Sequence, residues 1–207
     1  MVAEMLDLGG LDMLRHGNRF PRELSGGQCQ RVAIARVLVA SPAIVICDEP
    51  VTALDVSIQA QILNLLAELR ERLHLTYLLI AHDLMVVKTL SQRVGTMYLG
   101  RLCEVAPTAT MFERSAHPYT AALLSAIPPR PGIPTTVGRI RLQGEPPSPL
   151  DPPSGCRFRT RCPLAAPVCA EVTPALTDVG EGHSVACHFP FAINEHAKVA
   201  PAPAARS

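Results

Sequence analysis

An α/β fold with a parallel sheet, followed by a cysteine-rich C-terminal extension, is the fold class that this sequence predicts. Three observations carry the prediction. Two continuous apolar runs of strand length, 43–47 and 76–81, each end in a polar pair. A long amphipathic helical pattern lies between them. Four cysteines then cluster between residues 156 and 187, beyond a proline-dominated stretch. Alternating strand and helix signals favour a parallel sheet, with strands covered on both faces.

The elements follow in order. Residues 1–23 read as the end of a helical subdomain. Ser25 and Gln28 have capping-box spacing ahead of a helical pattern formed by Val32, Ile34, Ala35, Val37 and Leu38. Gly26 and Gly27 leave the first turn without side chains, so that a ligand can approach the backbone. A helix N-terminus carries roughly half a positive charge and favours phosphate. On these residues alone, an ordinary capped helix explains the pattern equally well. Ser41-Pro42 stops that helix, and the run 43–47 is a buried strand with Asp48 and Glu49 at its carboxyl end. Open α/β sheets place ligands at such ends. Adjacent carboxylates there are costly without a cation or polar reactant, although a surface turn is the plainer alternative. The chemical reading gives Asp48 a Mg²⁺ and Glu49 an attacking water.

Asp55 is placed to cap the next helix, whose apolar positions Ile58, Ile62, Leu65, Leu66, Leu69 and Leu73 share one face. The second strand, 76–81, ends in His82-Asp83. A lone histidine is usually structural, but beside a strand ending in Asp-Glu a shared ligand edge is the better reading. A hairpin is expected over 94–105, turning at Gly100-Arg101, with helical pieces at 108–114 and 119–126. The sheet core therefore covers 24–127, a semi-rigid proline-rich linker 128–153, the cysteine-rich extension 154–190, and a disordered Ala/Pro tail 191–207.

Taken together, these motifs resemble the ATPase subunit of an ABC transporter, a P-loop NTPase-like fold. Leu24 to Gln28 matches the family signature, and Ile44 to Glu49 the Walker B strand. Ala53-Leu54-Asp55 resembles the D-loop, and His82 the switch histidine. His117-Pro118-Tyr119 and the segment 144–149 are similar to the C-terminal extension of oligopeptide/dipeptide importer ATPases. The resemblance implies head-to-tail pairing of two ATPase subunits, homo- or heterodimeric. ATP would lie between one subunit's phosphate loop and the signature of the other. Ser25, Gly26, Gly27 and Gln28 would then meet a partner's ATP, and Asp55 of the D-loop is counted with them among the nucleotide-binding residues. Asp48, Glu49 and His82 would serve ATP in this chain's own phosphate loop. No Gly-Lys-Ser/Thr sequence occurs in the chain, whose two lysines are Lys88 and Lys198. The expectation is therefore a C-terminal portion that lacks the Walker A region and is inactive alone, whether as a truncated gene product or a natural fragment. The resemblance also implies transmembrane permease subunits as partners and a place at the cytoplasmic face of the bacterial plasma membrane. Cys29 and Val51 depart from the family pattern, which has arginine and a small hydroxyl residue there.

Cys29, Cys47 and Cys103 read as inert thiols. Cys156, Cys162, Cys169 and Cys187 are separated by 5, 6 and 17 residues, in a segment that lacks an apolar period and so needs a cross-link. No signal peptide begins the chain, so disulfides are disfavoured and a metal site is expected. The spacing is wider than zinc pairs use and suits a [4Fe–4S] cluster at least as well. Some peptide-importer ATPases, which this extension resembles, carry such a cluster. Four free thiols remain an alternative. Arg157, Arg159 and Arg161 either offset thiolate charge or form a solvated face.

Composition bounds the function. A net charge of +1 and the absence of Trp argue against nucleic-acid binding. No apolar run approaches the ~20 residues needed to span a bilayer, so direct membrane insertion is not expected. The function implied is an ATP-binding subunit of an ABC importer for oligopeptides or dipeptides. The rival is a catalytically inactive, metal-binding regulatory half-site.

Overall fold

The computed structural model describes residues 2–128 and 139–193. Residues 129–138 of the expected linker and the expected tail from 194 onward lie outside the described residues. The chain divides into two compact units between Leu90 and Ser91.

The first unit is mixed α/β. Short helices α1 (Val2–Leu8) and α2 (Met13–His16) precede a 3₁₀ turn at Pro21–Glu23. Then come α3 (Gly26–Leu38), β1 (Ile44–Asp48), α4 (Val56–Leu73), β2 (Thr76–Ile80) and α5 (Leu84–Leu90). The strands β1 and β2 pair in parallel, from Ile44 opposite Thr76 to Asp48 opposite Ile80, and α4 is the crossover. Asp55 caps α4 as expected, its carboxylate accepting from the Ile58 N–H at 3.0 Å and the Ser57 hydroxyl at 2.7 Å. These bonds stabilise the ionised form and lower the Asp55 pKa. At the other end His74 takes a left-handed conformation (φ 51°) and stops the helix.

Helix α4 is the centre of this unit. Ile62 and Leu66 pack with Val51, Val86 and Leu90, while Leu65 and Leu69 pack with Leu38 and Leu75. Val45, Tyr77 and Leu79 lie against these clusters. The sequence predicts strands buried on both faces, and here the structure differs. Ile44, Ile46, Leu78 and Ile80 are 49–66% exposed. Side chains alternate along a strand, and the described helices of this unit pack on one face only, so the other apolar face is bare. Val51 has a plain reason to be apolar, because it is buried in the core.

The second unit is built on the antiparallel hairpin β3 (Arg93–Tyr98) and β4 (Arg101–Pro107). Tyr98 faces Arg101, so the turn is Leu99-Gly100, one residue earlier than the sequence suggests. Both turn residues have positive φ, 45° and 77°, as the twist-matched two-residue hairpin turn requires. The register shifts between Thr96 and Met97, leaving Cys103 as the extra residue of a bulge. Helices α6 (Thr108–Glu113) and α7 (Pro118–Ser125) follow where the sequence places helical pieces. His117 caps α7, Nδ1 accepting from the Tyr119 N–H at 3.0 Å.

The extension does not depend on a cross-link for its attachment. Beyond α8 (Val168–Glu171), the short strands β5 (Thr177–Asp178) and β6 (Ser184–Val185) form a hairpin. Strand β6 then pairs with β4, giving the order β3-β4-β6-β5. Phe158, 1% exposed, packs with Tyr98 and Cys103. The fully buried Glu104 carboxylate accepts from the Ala116 and His117 N–H groups at 2.6 and 3.0 Å, and pairs with His183 at 2.7 Å. Strand addition and aromatic packing thus supply the cohesion that the sequence assigns to a metal.

Candidate functional site

Parallel pairing sets the carboxyl ends of β1 and β2 side by side. The Glu49 N–H donates to the Ile80 carbonyl at 2.9 Å and continues the ladder by one residue. Glu49 itself turns into the left-handed region (φ 47°), a conformation that costs a non-glycine residue about 1 kcal/mol or more. The turn delivers its side chain to His82, whose Nδ1 lies 3.1 Å from Glu49 Oε1. Both side chains are open to solvent, at 47% and 67% exposed. They line a cleft of about 90 Å³ with Pro50, Val51, Thr52, Gln59 and Asp83 among its walls. That volume admits a few waters, each occupying about 30 Å³ in the liquid, and not a nucleotide. Thr52 and Gln59 were not marked by any motif. They reach the cleft only because the 49–54 turn and the first turn of α4 fold beside it.

Asp48 closes β1 in register with Ile80, and its side chain is exposed. Neither Asp48 nor Glu49 is buried, so no desolvation cost demands a cation beside them, contrary to the sequence-based expectation. The pair is nonetheless suited to a hard cation, which takes one or two carboxylates and completes its shell with water and phosphate oxygens.

The Ser25–Gln28 turn forms the expected reciprocal cap. The Gln28 N–H donates to Ser25 Oγ at 3.3 Å, and the Ser25 N–H donates to Gln28 Oε1 at 2.9 Å. The two glycines have different reasons. Gly26 is exposed, whereas Gly27 is buried, and a Cβ on it would lie 2.5 Å from Ile58 Cγ2. Gly27 thus lets α3 approach α4, a packing demand for glycine separate from ligand clearance. Leu54 sits beside Gly26 and Ile58 beside Gly27, so this turn and the Asp55 cap are neighbours. The lining of the Glu49–His82 cleft includes none of residues 25–28. Cys29, the departure from the family pattern, is accommodated by a contact of its thiol with the Pro21 carbonyl at 3.6 Å.

Of Cys156, Cys162, Cys169 and Cys187, the first and third are tied through the backbone, the Cys156 N–H donating to the Cys169 carbonyl at 2.8 Å. Cys156, Cys169 and Cys187 each disfavour the thiolate form of at least one other thiol in the group. Burial is the larger cause, pushing Cys162 and Cys187 up to about 11 and raising Cys156. The Leu164 and Phe189 N–H groups donate to the sulfurs of Cys162 and Cys187, each at 3.4 Å. All seven cysteines are free thiols. Among the described residues no three or more Cys, His, Asp or Glu side chains are arranged to hold a metal ion. The flanking arginines clamp backbone: Arg157 donates to the Leu99 carbonyl, Arg159 to that of Ser154, and Arg161 to that of Gly144.

A parallel α/β unit with a capped glycine turn and a Glu–His pair at the sheet edge fits the ATP-binding cassette that the sequence motifs resemble. Comparison with known proteins agrees. Residues 2–52 match the ABC transporter family, and residues 103–169 match the oligopeptide/dipeptide transporter C-terminal region. The putative oligopeptide transport ATP-binding protein YkfD of Bacillus subtilis is 51% identical over 190 residues, 91% of this chain and 57% of that protein. OppF of Escherichia coli, an oligopeptide transport ATP-binding protein, is 52% identical over 89% of this chain and 55% of its own length. Among solved structures, cbiO1 of Clostridium perfringens, part of an ABC transporter complex, superposes with a TM-score of 0.50. It is 33% identical, over 54% of this chain and 44% of that one. The chain belongs to the ATP-binding proteins of ABC transporters, in their oligopeptide/dipeptide branch. It spans about half the length of the curated relatives it matches. Among the described residues no helix is long and apolar enough to cross a membrane.

Proposed function

We propose that this chain acts as part of an ATP-binding subunit of an oligopeptide or dipeptide ABC importer. It would couple ATP hydrolysis in a pair of such subunits to transport through transmembrane permease subunits, at the cytoplasmic face of the membrane. The observation that carries the proposal is the Glu49–His82 contact at the common carboxyl edge of β1 and β2.

In this reading Glu49 is the general base that takes a proton from the attacking water. His82, with one ring nitrogen against Glu49, directs its other nitrogen to the transferred phosphoryl group. Asp48 would hold the Mg²⁺, which supplies charge neutralisation to the phosphates when bound. Ser25, exposed Gly26 and the first turn of α3 would meet the γ-phosphate of ATP held by the paired subunit. Gln28 shapes that turn through the cap, Gly27 sets the helix spacing, and Asp55 holds the neighbouring helix start.

Calorimetry of Mg-ATP binding tests this, with the chain alone and mixed with an intact ATPase of the family. Tighter binding in the mixture supports the proposal. Equal binding with and without the partner would refute the donated half-site.

We propose further that Cys156, Cys162, Cys169 and Cys187 would hold a [4Fe–4S] cluster, a reading supported by the four-cysteine set of the extension and by the two N–H···S bonds at Cys162 and Cys187 rather than by a preformed ligand cluster. Anaerobically purified chain should then contain about four irons with matching sulfide. Stoichiometric zinc, or no metal, would refute the cluster.

A further inference from the structure

We infer that His16 is a positioning residue for the Ser25–Gln28 turn. Its neutral Nε2 accepts from the Gln28 side-chain amide and so fixes which end of that amide faces Ser25. The inference rests on the ATP-contacting role proposed above for the turn.

The hydrogen-bond chain leaves each group one choice. The Ser25 backbone N–H can only donate, so the Gln28 atom 2.9 Å from it is the carbonyl Oε1. The amide nitrogen is then directed to His16 Nε2 at 3.3 Å. An amide NH₂ only donates, so Nε2 must present its lone pair. The ring proton therefore sits on Nδ1, and Nδ1 lies 2.9 Å from the Asp12 carbonyl, which only accepts. Donor and acceptor alternate without conflict from Asp12 through His16 and Gln28 to Ser25. The Gln28 backbone N–H closes the loop onto Ser25 Oγ at 3.3 Å. With that oxygen accepting, the hydroxyl proton is left for an incoming phosphate oxygen. Gln28 is thus clamped at both ends of its side chain, one clamp coming from α2, twelve residues upstream. His16 is half-buried, and α2 begins with its own cap, the Leu14 N–H donating to Asp12 Oδ1 at 2.8 Å. The ring thereby reports the placement of α2 to the turn.

The test uses the full chain at micromolar concentration and amide hydrogen exchange read by mass spectrometry. Glutamine at position 16 can offer a carbonyl where Nε2 lies, whereas leucine cannot. In His16→Leu the peptide spanning Ser25–Gln28 should exchange about fivefold faster, the worth of one helix cap, while the α4 peptides keep native rates. His16→Gln should restore the native rate. Native exchange in His16→Leu, or exchange as fast in His16→Gln, would overturn the inference. The native ring offers a check that needs no variant: ¹⁵N correlation spectra should place the His16 proton on Nδ1, and a proton on Nε2 would overturn it. Mg-ATP binding to the mixed pair separates this link from the reading beneath it. It should weaken about fivefold in His16→Leu and recover in His16→Gln. Faster exchange with unaltered ATP binding would keep the link and refute ATP contact by the turn.

Discussion

Glu49 combines a carboxylate proposed as the general base with a left-handed backbone (φ 47°). Its N–H is spent on Ile80, which fixes the residue in the ladder while the backbone turns its carboxylate to His82. In a subunit that joins this chain to a family phosphate-loop segment, Glu49→Gln should lower turnover at that loop by about 10²–10⁴-fold and leave Mg-ATP binding intact. Single-turnover kinetics beside equilibrium binding would check this; equal loss of binding would remove Glu49 from the chemistry. Gly27 makes a different prediction. A Cβ there would press on Ile58 Cγ2 from 2.5 Å, and such overpacking costs about 1–3 kcal/mol. Thermal denaturation of Gly27→Ala should show that loss, and pairing it with Ile58→Ala should give strongly non-additive behaviour. Additive losses would mean that the close approach is not what demands glycine. The sequence marks Ser25, Gln28, Glu49 and His82 because their spacing follows local rules. It does not mark His16, Thr52 or Gln59, whose roles depend on how separate turns meet.

At the scale of elements, local signals located helices and strands well and tertiary partners poorly. The caps at Ser25 and Asp55 and the α6 and α7 segments all lie where residue chemistry places them. The hairpin turn moves by one residue because Leu99 accepts a positive φ in place of Arg101. Strands β5 and β6 are two residues each and carry no period to read; they exist because β4 offers them an edge. The α7 cap gives a pH prediction. Burial lowers the His117 pKa from 6.5 to about 4, and its Nδ1 must stay unprotonated to accept from Tyr119. The unfolded chain binds this proton at a higher pH than the folded one. The stability of this unit should therefore be fully present above pH 6.5 and fall as pH drops toward 4, by up to about 3 kcal/mol. Denaturant melts across that range would show it, and His117→Asn, which can still cap, should flatten the dependence. An unchanged slope in that variant would reassign the titration.

For the whole molecule, the informative feature is the bare face of β1 and β2. Runs of unbroken apolar residues predict strands covered on both sides, whereas the cover itself comes from other segments that the runs do not specify. Ile46 and Leu78 are register partners, 66% and 56% exposed. An apolar patch of this kind promotes association. The purified chain should self-associate in sedimentation velocity as its concentration rises. Ile46→Lys combined with Leu78→Glu should shift it toward monomer, the two charges facing each other across the strands. A sharp monomer boundary from the native sequence would sink the prediction.

Tyr98 and Tyr119 stack edge to face at 4.9 Å, and Phe158 lies 5.2 Å from the Tyr98 ring. The chain has three tyrosines and no tryptophan, so ultraviolet emission from it is tyrosine light alone, with no indole to drain or mask it. Two of the three emitters sit in the contact between the hairpin and the cysteine-bearing segment. The protein therefore carries an intrinsic optical gauge of whether that segment is seated, readable without a label.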